Sequence, residues 1–162
     1  ITANVGNALQ GSTLTFCAWV RTTDDLGTLF AYSTPTNSLE FAVAITTRNG
    51  ADRIVVITHG EAAASRVWIS DGNWHTVCVE WSASDGKALV SRDDRAQRHT
   101  INVGSSSYRN NPLAGDGCIV IGQHPDVDDR GNCTMFDTTR TYEGYISAIG
   151  VYGAKLTTKL VR

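Results

Sequence analysis

The fold of this chain is decided by one stretch, Trp68-Ile-Ser-Asp-Gly-Asn-Trp-His-Thr-Val-Cys-Val-Glu-Trp-Ser-Ala-Ser-Asp-Gly86. Asp-Gly turn dipeptides occur near its start and at its end, and the residues between them alternate, which predicts one strand between two turns. The apolar phase carries two valines and Trp81, so that face should meet a core. Cys78 lies on the other face with Thr76 and Glu80, and a cysteine there indicates a partner on a neighbouring strand.

A second stretch, Thr13-Leu-Thr-Phe-Cys-Ala-Trp-Val20, repeats this arrangement, with its apolar residues on one phase and Cys17 on the other. We therefore predict that the two strands are neighbours joined by a Cys17–Cys78 disulfide. Such a bridge closes a loop of about sixty residues and contributes roughly 4 kcal/mol in the chain-entropy treatment. Two buried free thiols are the alternative interpretation.

The rest of the chain consists mostly of short β-forming runs separated by turn signals, with almost no helical periodicity. Further strands are predicted at 27–33, 39–45, 53–59, 66–70, 87–92, 100–103, 117–122 and 142–152. Strands in this number without a helical pattern can bury their faces only in a sandwich or a barrel. We favour an all-β, two-sheet antiparallel jelly-roll sandwich. Residues 104–117 are predicted as a long polar loop and residues 156–162 as a short helix or an edge strand.

The two cysteine strands resemble those of the pentraxin family and, more loosely, of laminin-G-like and thrombospondin-N-terminal sandwiches. Pentraxins join two such strands through their cysteines, and they carry a glycine-glutamine-acidic segment similar to Ile121-Gly-Gln-His-Pro-Asp126. Thr76 and Glu80 depart from the family signature, which has a histidine and a Ser or Thr at these places. The chain is identified as a divergent pentraxin-like domain of the concanavalin-A-like superfamily, and the resemblance implies a jelly roll.

Length and composition indicate one extracellular domain spanning residues 1–162. The net charge is −2, and basic residues do not cluster, which argues against nucleic acid as a partner. No apolar run is long enough to insert into a membrane. Four cysteines fit an oxidising compartment, so we expect a secreted protein or the outer face of a cell-surface protein. Compared with the family pattern the first strand and the last two are missing, so either the fold is closed differently or, as we expect, the domain is excised from a larger extracellular protein.

An acidic segment, Gln123-His-Pro-Asp-Val-Asp-Asp-Arg-Gly-Asn-Cys-Thr-Met-Phe-Asp137, follows one of the predicted strands. Carboxylate and amide oxygens on an irregular loop are what calcium requires, because the ion takes six to eight oxygen ligands. The alternative is a solvated acidic turn in which Arg130 pairs with a neighbour. Cys118 begins the preceding strand, so a Cys118–Cys133 disulfide would hold the segment in place. Asn132-Cys-Thr134 is also an N-glycosylation sequon.

The pentraxin resemblance implies calcium sites built from this segment and an earlier loop. Asp126 matches the acid that ends the family's first cluster, Asp137 matches its later acid, and Asn37 matches a ligand in the earlier loop. Asp128 and Asp129 lie in an insertion and could substitute for missing ligands. The candidate calcium ligands are therefore Asn37, Gln123, Asp126, Asp128, Asp129 and Asp137.

Three departures from the family pattern reduce the number of ions expected. His124 stands where pentraxins have a bridging glutamate, Thr36 where they have an aspartate, and Arg140 near the position of a later amide ligand. We therefore predict one calcium site rather than two.

Catalysis is not indicated by the sequence. The four histidines have no nucleophile motif nearby, and His75, at the start of a strand, is interpreted as structural. Glu40 and Glu80 do not form the paired-carboxylate pattern of glycoside hydrolases. The tryptophans could stack on sugars, but those beside the cysteine strands, Trp19, Trp74 and Trp81, are interpreted as core residues, and Trp68 is left without an assignment.

The sequence supports two alternative functions. The first is a calcium-dependent extracellular recognition module, which the resemblance implies would bind a glycan, an anionic or zwitterionic head group, or a protein. The second is a metal-independent adhesion or protein–protein interaction domain of a multidomain extracellular or cell-surface protein, in which the acidic segment is only surface. Homo-oligomers are a further expectation, because family members often form rings.

Overall fold

The computed structural model of the protein describes residues 1–48, 51–94, 96–105 and 108–156. Two antiparallel β-sheets lie face to face, which confirms the predicted jelly-roll sandwich. The strands are β1 Thr2–Gly6, β2 Thr13–Arg21, β3 Gly27–Ser33, β4 Phe41–Arg48, β5 Ala51–Thr58, β6 Glu61–Ala64, β7 His75–Ser82, β8 Lys87–Arg92, β9 Gln97–Asn102, β10 Gly117–Ile121, β11 His124–Pro125, β12 Phe136–Asp137 and β13 Tyr145–Tyr152. A 3-10 turn spans Thr138–Arg140. No helix among these residues is long and apolar enough to cross a membrane.

The two large sheets differ in how their strands are ordered. The six-stranded sheet has the order β1-β10-β3-β4-β5-β6, and the five-stranded sheet has the order β13-β2-β7-β8-β9. The short strands β11 and β12 pair only with each other. Every pairing within the three sheets is antiparallel, so neighbouring strands alternate in direction.

The inner faces of the sheets meet in one hydrophobic core. Phe16 of the five-stranded sheet stacks on Phe30 of the six-stranded sheet, with ring centroids 5.1 Å apart. Phe41 lies 6.3 Å from Phe30 and 6.2 Å from Trp81, so the aromatic contacts cross between the sheets twice. Trp81 is 1% exposed, and the valines of β7 on the same phase are fully buried, as their alternation predicted.

The disulfide between the central strands follows from their register. Cys17 of β2 lies directly opposite Cys78 of β7, with Cα atoms 4.2 Å apart, and the two residues form a disulfide. A second disulfide joins Cys118 to Cys133, with Cα atoms 6.1 Å apart. All four cysteines of the chain are therefore paired. The alternative interpretation, in which Cys17 and Cys78 are free thiols, is wrong.

Two of the three tryptophans interpreted as core residues are on the surface. Trp19 is 47% exposed and Trp74 is 44% exposed, so the core assignment was wrong for both. Trp19 belongs to the same strand phase as Cys17, and that phase faces outward, while Trp74 precedes β7 and its ring lies 6.2 Å from that of Tyr145. Proximity to the disulfide strands did not indicate burial, because strand neighbours alternate between faces.

Residues 66–70 were predicted as a strand but form none. Val67 and Ile69 are buried in the core, and Ile54 donates a hydrogen bond to the carbonyl of Val67, 2.8 Å away, but no ladder continues from it. The alternating pattern here therefore reflects burial without strand pairing. Trp68, which had no assignment, lies with its ring 4.4 Å from the guanidinium carbon of Arg92.

Several short strands were not anticipated. These are β1, β6, β11 and β12, all at sheet edges or in the acidic segment. β1 pairs with β10, so a strand does precede the cysteine strand β2. The prediction of a short helix or edge at 156–162 concerns residues 157–162, which lie outside the described ranges.

Candidate ligand-binding face

A loop leaves the six-stranded sheet after β10 and ends shortly before β13 of the five-stranded sheet. This covering loop, Gly122–Tyr142, is closed at its base, where the Tyr142 amide donates to the Gly122 carbonyl over 2.9 Å. Further along, the Gly131 amide donates to the Ser33 hydroxyl over 3.0 Å, and Thr141 forms an isolated bridge with Thr28. The loop thus lies against β3 on the outer face of the six-stranded sheet.

A second, smaller core fills the space between the covering loop and the sheet. It contains the Cys118–Cys133 disulfide together with buried residues of the sheet, Ala31, Ala42, Val55, Ile57 and Val120, against which Leu39, Ala64 and Phe136 pack. The acidic segment is therefore not a free surface turn, because apolar residues and a disulfide hold it against the sheet.

Asp129 accepts hydrogen bonds from other residues of the covering loop and so stabilises the loop's conformation. Its side chain is 4% exposed and accepts hydrogen bonds from the Thr134 amide, the Thr134 hydroxyl at 3.0 Å and the Met135 amide at 2.6 Å. Desolvation would raise the pKa of Asp129, but the hydrogen bonds from Met135 and Thr134 outweigh it and the pKa is lowered. The carboxylate that was a candidate calcium ligand thus points inward and stabilises the loop.

Replacing Asp129 with asparagine tests this role. Because hydrogen bonds to a charged group are worth about 1.5–3 kcal/mol, the free energy of unfolding should fall by about that much at neutral pH. A lowered folded-state pKa gives stability that is present above the unfolded-state pKa and lost as the pH falls through the folded-state value. The gap between Asp129→Asn and wild type, measured by urea unfolding, should therefore close under strongly acidic conditions. Asp128→Asn, at an exposed neighbour, should leave stability within about 0.5 kcal/mol, and equal losses in both variants would contradict the assignment.

Asp126 and Asp128 lie near the start of the loop, two residues apart. The Asp128 amide donates to Oδ1 of Asp126 over 3.0 Å, and the Asp126 amide donates to the Met135 carbonyl over 3.0 Å. Asp128 is exposed and Asp126 is half-buried.

Two further candidate ligands, Asn37 and Gln123, lie outside the Asp126–Asp128 stretch of the chain. Oδ1 of Asn37, in the turn between β3 and β4, accepts a hydrogen bond from the Leu39 amide over 2.9 Å. Gln123 is partly exposed at the base of the loop. In the ranges that the structure describes, no three His, Cys, Asp or Glu side chains are grouped so that they could hold a metal ion. The sequon residue Asn132 is exposed on the same loop, and its glycosylation stays a prediction.

His124, Asp137 and Arg140 form a contact cluster at the foot of the loop. Nη1 of Arg140 lies 3.3 Å from Nε2 of His124, and Nε of Arg140 lies 3.5 Å from Oδ2 of Asp137. Asp137 also caps the 3-10 turn, since its Oδ1 accepts from the Thr139 amide at 2.9 Å and the Thr139 hydroxyl at 2.6 Å. These hydrogen bonds from Thr139, with the charge of Arg140, lower the pKa of Asp137.

The contacts of His124 define its protonation. Its ring is 4% exposed, and burial together with the Arg140 charge lowers its pKa, so the imidazole is neutral at neutral pH. A guanidinium can only donate, so Nε2 accepts from Arg140 and Nδ1 carries the proton. That proton is donated to Oγ1 of Thr28, 2.9 Å away.

The fit of this cluster to a calcium ion is poor. A neutral imidazole occupies the position at which the resemblance places a bridging glutamate, and a guanidinium stands near the position of an amide ligand. Calcium favours negatively charged and carbonyl oxygens, and a fixed positive charge in the ligand shell repels it. Two of the three departures noted in the sequence, His124 and Arg140, are thus in direct contact, and these residues do not fit a second calcium ion.

A groove lies beside the covering loop, over β4, β5 and β6. Its cavity has a volume of about 440 Å³, and Arg140, His124 and Leu26 border it. The floor consists mainly of small apolar side chains that point away from the main core, among them Ala44, Ala62 and Ala64. This groove was not predicted from the sequence. Its signal is the run Phe41-Ala-Val-Ala-Ile45, in which the outward phase carries only alanine.

The two glutamates considered for catalysis do not form a pair. Glu40, which precedes β4, is 3% exposed, and its Oε1 lies 3.3 Å from Nδ1 of His59 and accepts a hydrogen bond from the Ala114 amide over 2.7 Å. The hydrogen bond to Glu40 raises the pKa of His59. Glu80 lies on β7 of the other sheet, on its outer phase. His75, interpreted as structural, bonds through its two nitrogens to Asp71 and Asp93.

The sandwich and its covering loop define a pentraxin-like domain of the pentraxin and laminin G class. Human neuronal pentraxin-2 is 26% identical over 141 residues, which cover 85% of this chain and 30% of the relative. The chain thus spans less than a third of the length of the curated relatives it matches. No protein-family model matches it.

Solved structures with the same fold come from both branches of this class. The native heptameric pentraxin from Limulus polyphemus has a TM-score of 0.75 at 20% identity, and the match covers 97% of this chain and 71% of that one. The LG1-3 region of the laminin α2 chain has a TM-score of 0.62 at 16% identity, over 93% of this chain and 28% of that one. These likenesses establish the fold.

Proposed function

We propose that this domain is an extracellular recognition module that binds its ligand on the outer face of the six-stranded sheet, at the covering loop. One observation carries the proposal. The loop is held in a defined conformation by the Cys118–Cys133 disulfide, a core of its own and the hydrogen bonds of Asp129, and it borders an open groove. A preorganised loop beside a cavity is the usual form of a binding site.

Two further features support an extracellular setting and a binding role. The pairing of every cysteine in disulfides fits an oxidising compartment, either secreted or at the outer face of a cell. The buried Glu40 precedes β4 of one sheet and the outward Glu80 lies on β7 of the other, which favours a non-enzymatic module. A glycan, an anionic head group or an extracellular protein are the proposed partner classes, and ring formation, as in the heptameric Limulus protein, is a proposal for the intact chain.

Recognition without calcium is the version that the geometry supports best. Arg140 and the neutral His124 are in contact where a second ion would require acidic and amide oxygens, and Asp129 is turned into the loop. A single ion held by Asp126 and Asp128, with Gln123 and Asn37, is the second candidate. It is favoured by the sequence proximity of the two acids and by the contact of the Asp128 amide with Oδ1 of Asp126.

Thermal unfolding in EDTA and across a calcium titration separates the two versions. Under the proposal, the melting temperature should stay constant up to millimolar calcium. A bound ion at one hundred times its dissociation constant would add about 2.7 kcal/mol and raise the melting temperature. A rise that Asp126→Asn abolishes, and that Asp94→Asn at an exposed turn of the other sheet preserves, would overturn the metal-free version in favour of the calcium site.

The binding face itself can be located by nuclear magnetic resonance. A panel of glycans and phosphorylated head groups is titrated into the isotopically labelled domain in EDTA. Amide shifts are expected in the covering loop and on β4 to β6, and ligands found in this way should still bind the Trp19→Ala variant, which alters the opposite face. Shifts confined to the five-stranded sheet would contradict the proposed face.

A further inference from the structure

The floor of the groove beside the covering loop consists mainly of small apolar side chains. Ala44 of β4 and Ala62 and Ala64 of β6 border it, and Val55 and Ile57 of β5 lie between them, each 8% exposed. Outward positions of an antiparallel sheet ordinarily carry polar side chains when they face water. Here the small residues leave a cavity of about 440 Å³, within the size range of small-molecule sites.

One end of the groove carries a positive charge. Arg140 has a side chain that is 52% exposed, and its contacts with His124 and Asp137 use only part of its N–H donors. Within the part of the chain that the structure describes, no other contact engages the remaining guanidinium donors, which leaves them for an acceptor that enters the groove.

We propose that the groove binds a small monocarboxylate with a compact aliphatic body, its carboxylate on Arg140 and its apolar part on the alanine floor. A guanidinium pairs with a carboxylate through parallel N–H···O bonds. Asp137 lies 3.5 Å from Arg140, so a dianion such as phosphate would meet more repulsion than a single carboxylate. The lining has no tryptophan, tyrosine or phenylalanine, so a sugar ring would find no stacking partner among the lining residues.

This inference rests on the proposed function and assigns a ligand class to the same face. The matched probes are N-acetyl-L-valine and its uncharged analogue N-acetyl-L-valinamide, titrated into the labelled domain in EDTA. The carboxylate is expected to bind at least ten times more tightly than the amide and to shift the amides of Thr28, Ala44 and Ala64. Equal binding of the two probes, or no binding of either, would overturn the inference.

Two variants separate the charge from the shape of the site. Arg140→Gln should weaken N-acetyl-L-valine binding at least tenfold, while Arg130→Gln, at an exposed arginine of the same loop, should leave it unchanged. Ala44→Leu fills the floor without changing charge and should also abolish binding. Each variant is first checked for a wild-type spectrum outside the groove. Undiminished binding to Arg140→Gln would overturn the assignment of the carboxylate to that residue.

The outcome also distinguishes this inference from the function on which it rests. If panel ligands still shift the covering loop but N-acetyl-L-valine does not bind, the ligand class is wrong and the recognition face stands. If N-acetyl-L-valine shifts the Asp126–Asp128 amides instead of the groove, the inference is overturned as well. If neither panel nor probe shifts this face, the proposed function itself fails.

Discussion

Replacing Cys17 and Cys78 together with alanine is expected to lower the free energy of unfolding by about 4 kcal/mol. The disulfide joins residues 61 apart in sequence, and removing it releases the long loop between β2 and β7 in the unfolded state. The folded state should change little, because the two strands remain paired along their whole length and the bridge lies outside the main core. Small domains have a total stability of about 5–15 kcal/mol, so the loss is a large share of it. Equilibrium urea unfolding followed by circular dichroism measures it.

The second disulfide provides the matched control. Cys118 and Cys133 are 15 apart in sequence, and their replacement should cost about 3 kcal/mol in the same treatment. The loss of structural stability should be greatest in the covering loop, because Cys133 belongs to the smaller core beneath that loop. Hydrogen exchange is expected to accelerate at Thr134 and Met135 while β2 and β7 stay protected. A smaller loss for the Cys17 and Cys78 variant than for this control would contradict the chain-entropy ranking.

Trp81→Ala is expected to cost about 3–5 kcal/mol, the range for deleting a buried large aromatic side chain. Trp81 is 1% exposed and lies 6.2 Å from Phe41 of the opposite sheet, so the substitution leaves a cavity between the sheets. The loss combines the transfer free energy of the indole with the cavity that the neighbours cannot fill. Urea unfolding, monitored by far-UV circular dichroism, gives the difference from wild type.

Trp19→Ala is the control for this prediction. Both residues lie on the paired central strands, but Trp19 is 47% exposed on the outer face. Its replacement should cost less than about 1 kcal/mol, as for other surface substitutions. If the two variants lost similar stability, Trp19 would have to be buried in solution, and the assignment of the outer face would be wrong.

The strand phases show how far sequence reasoning reaches in this fold. Period-two alternation in β2 and β7 identified the buried valines, Phe16 and Trp81, and it placed Cys17 and Cys78 opposite each other, because strand geometry puts alternate residues on opposite faces. The same rule would have placed Trp19 outside, since it shares the phase of Cys17. Trp19 was wrongly assigned to the core because the assignment used its closeness to Cys17 in sequence and not the face of the strand on which it lies.

The site was predicted less well than the fold. The sequence indicated that the acidic segment is held by Cys118 and Cys133 and that His124 and Arg140 depart from the family pattern. It contained no sign that Asp129 would turn inward, because Asp128 and Asp129 look equivalent in sequence and differ only in the direction that the loop backbone imposes. Whether neighbouring carboxylates bind a ligand or the loop itself depends on that direction.

The sequence by itself determined the architecture, since alternation, turn residues and cysteine phase are local patterns that strand geometry converts directly into faces and pairings. Only the tertiary structure decided the site. His124 and Arg140 are 16 residues apart, and Thr28 is 96 residues from His124, yet the three side chains form one chain of contacts. The groove likewise needs alanines from separate strands to lie on one face. Contacts of this kind arise from how the covering loop packs on the sheet, and no local pattern in the chain encodes them.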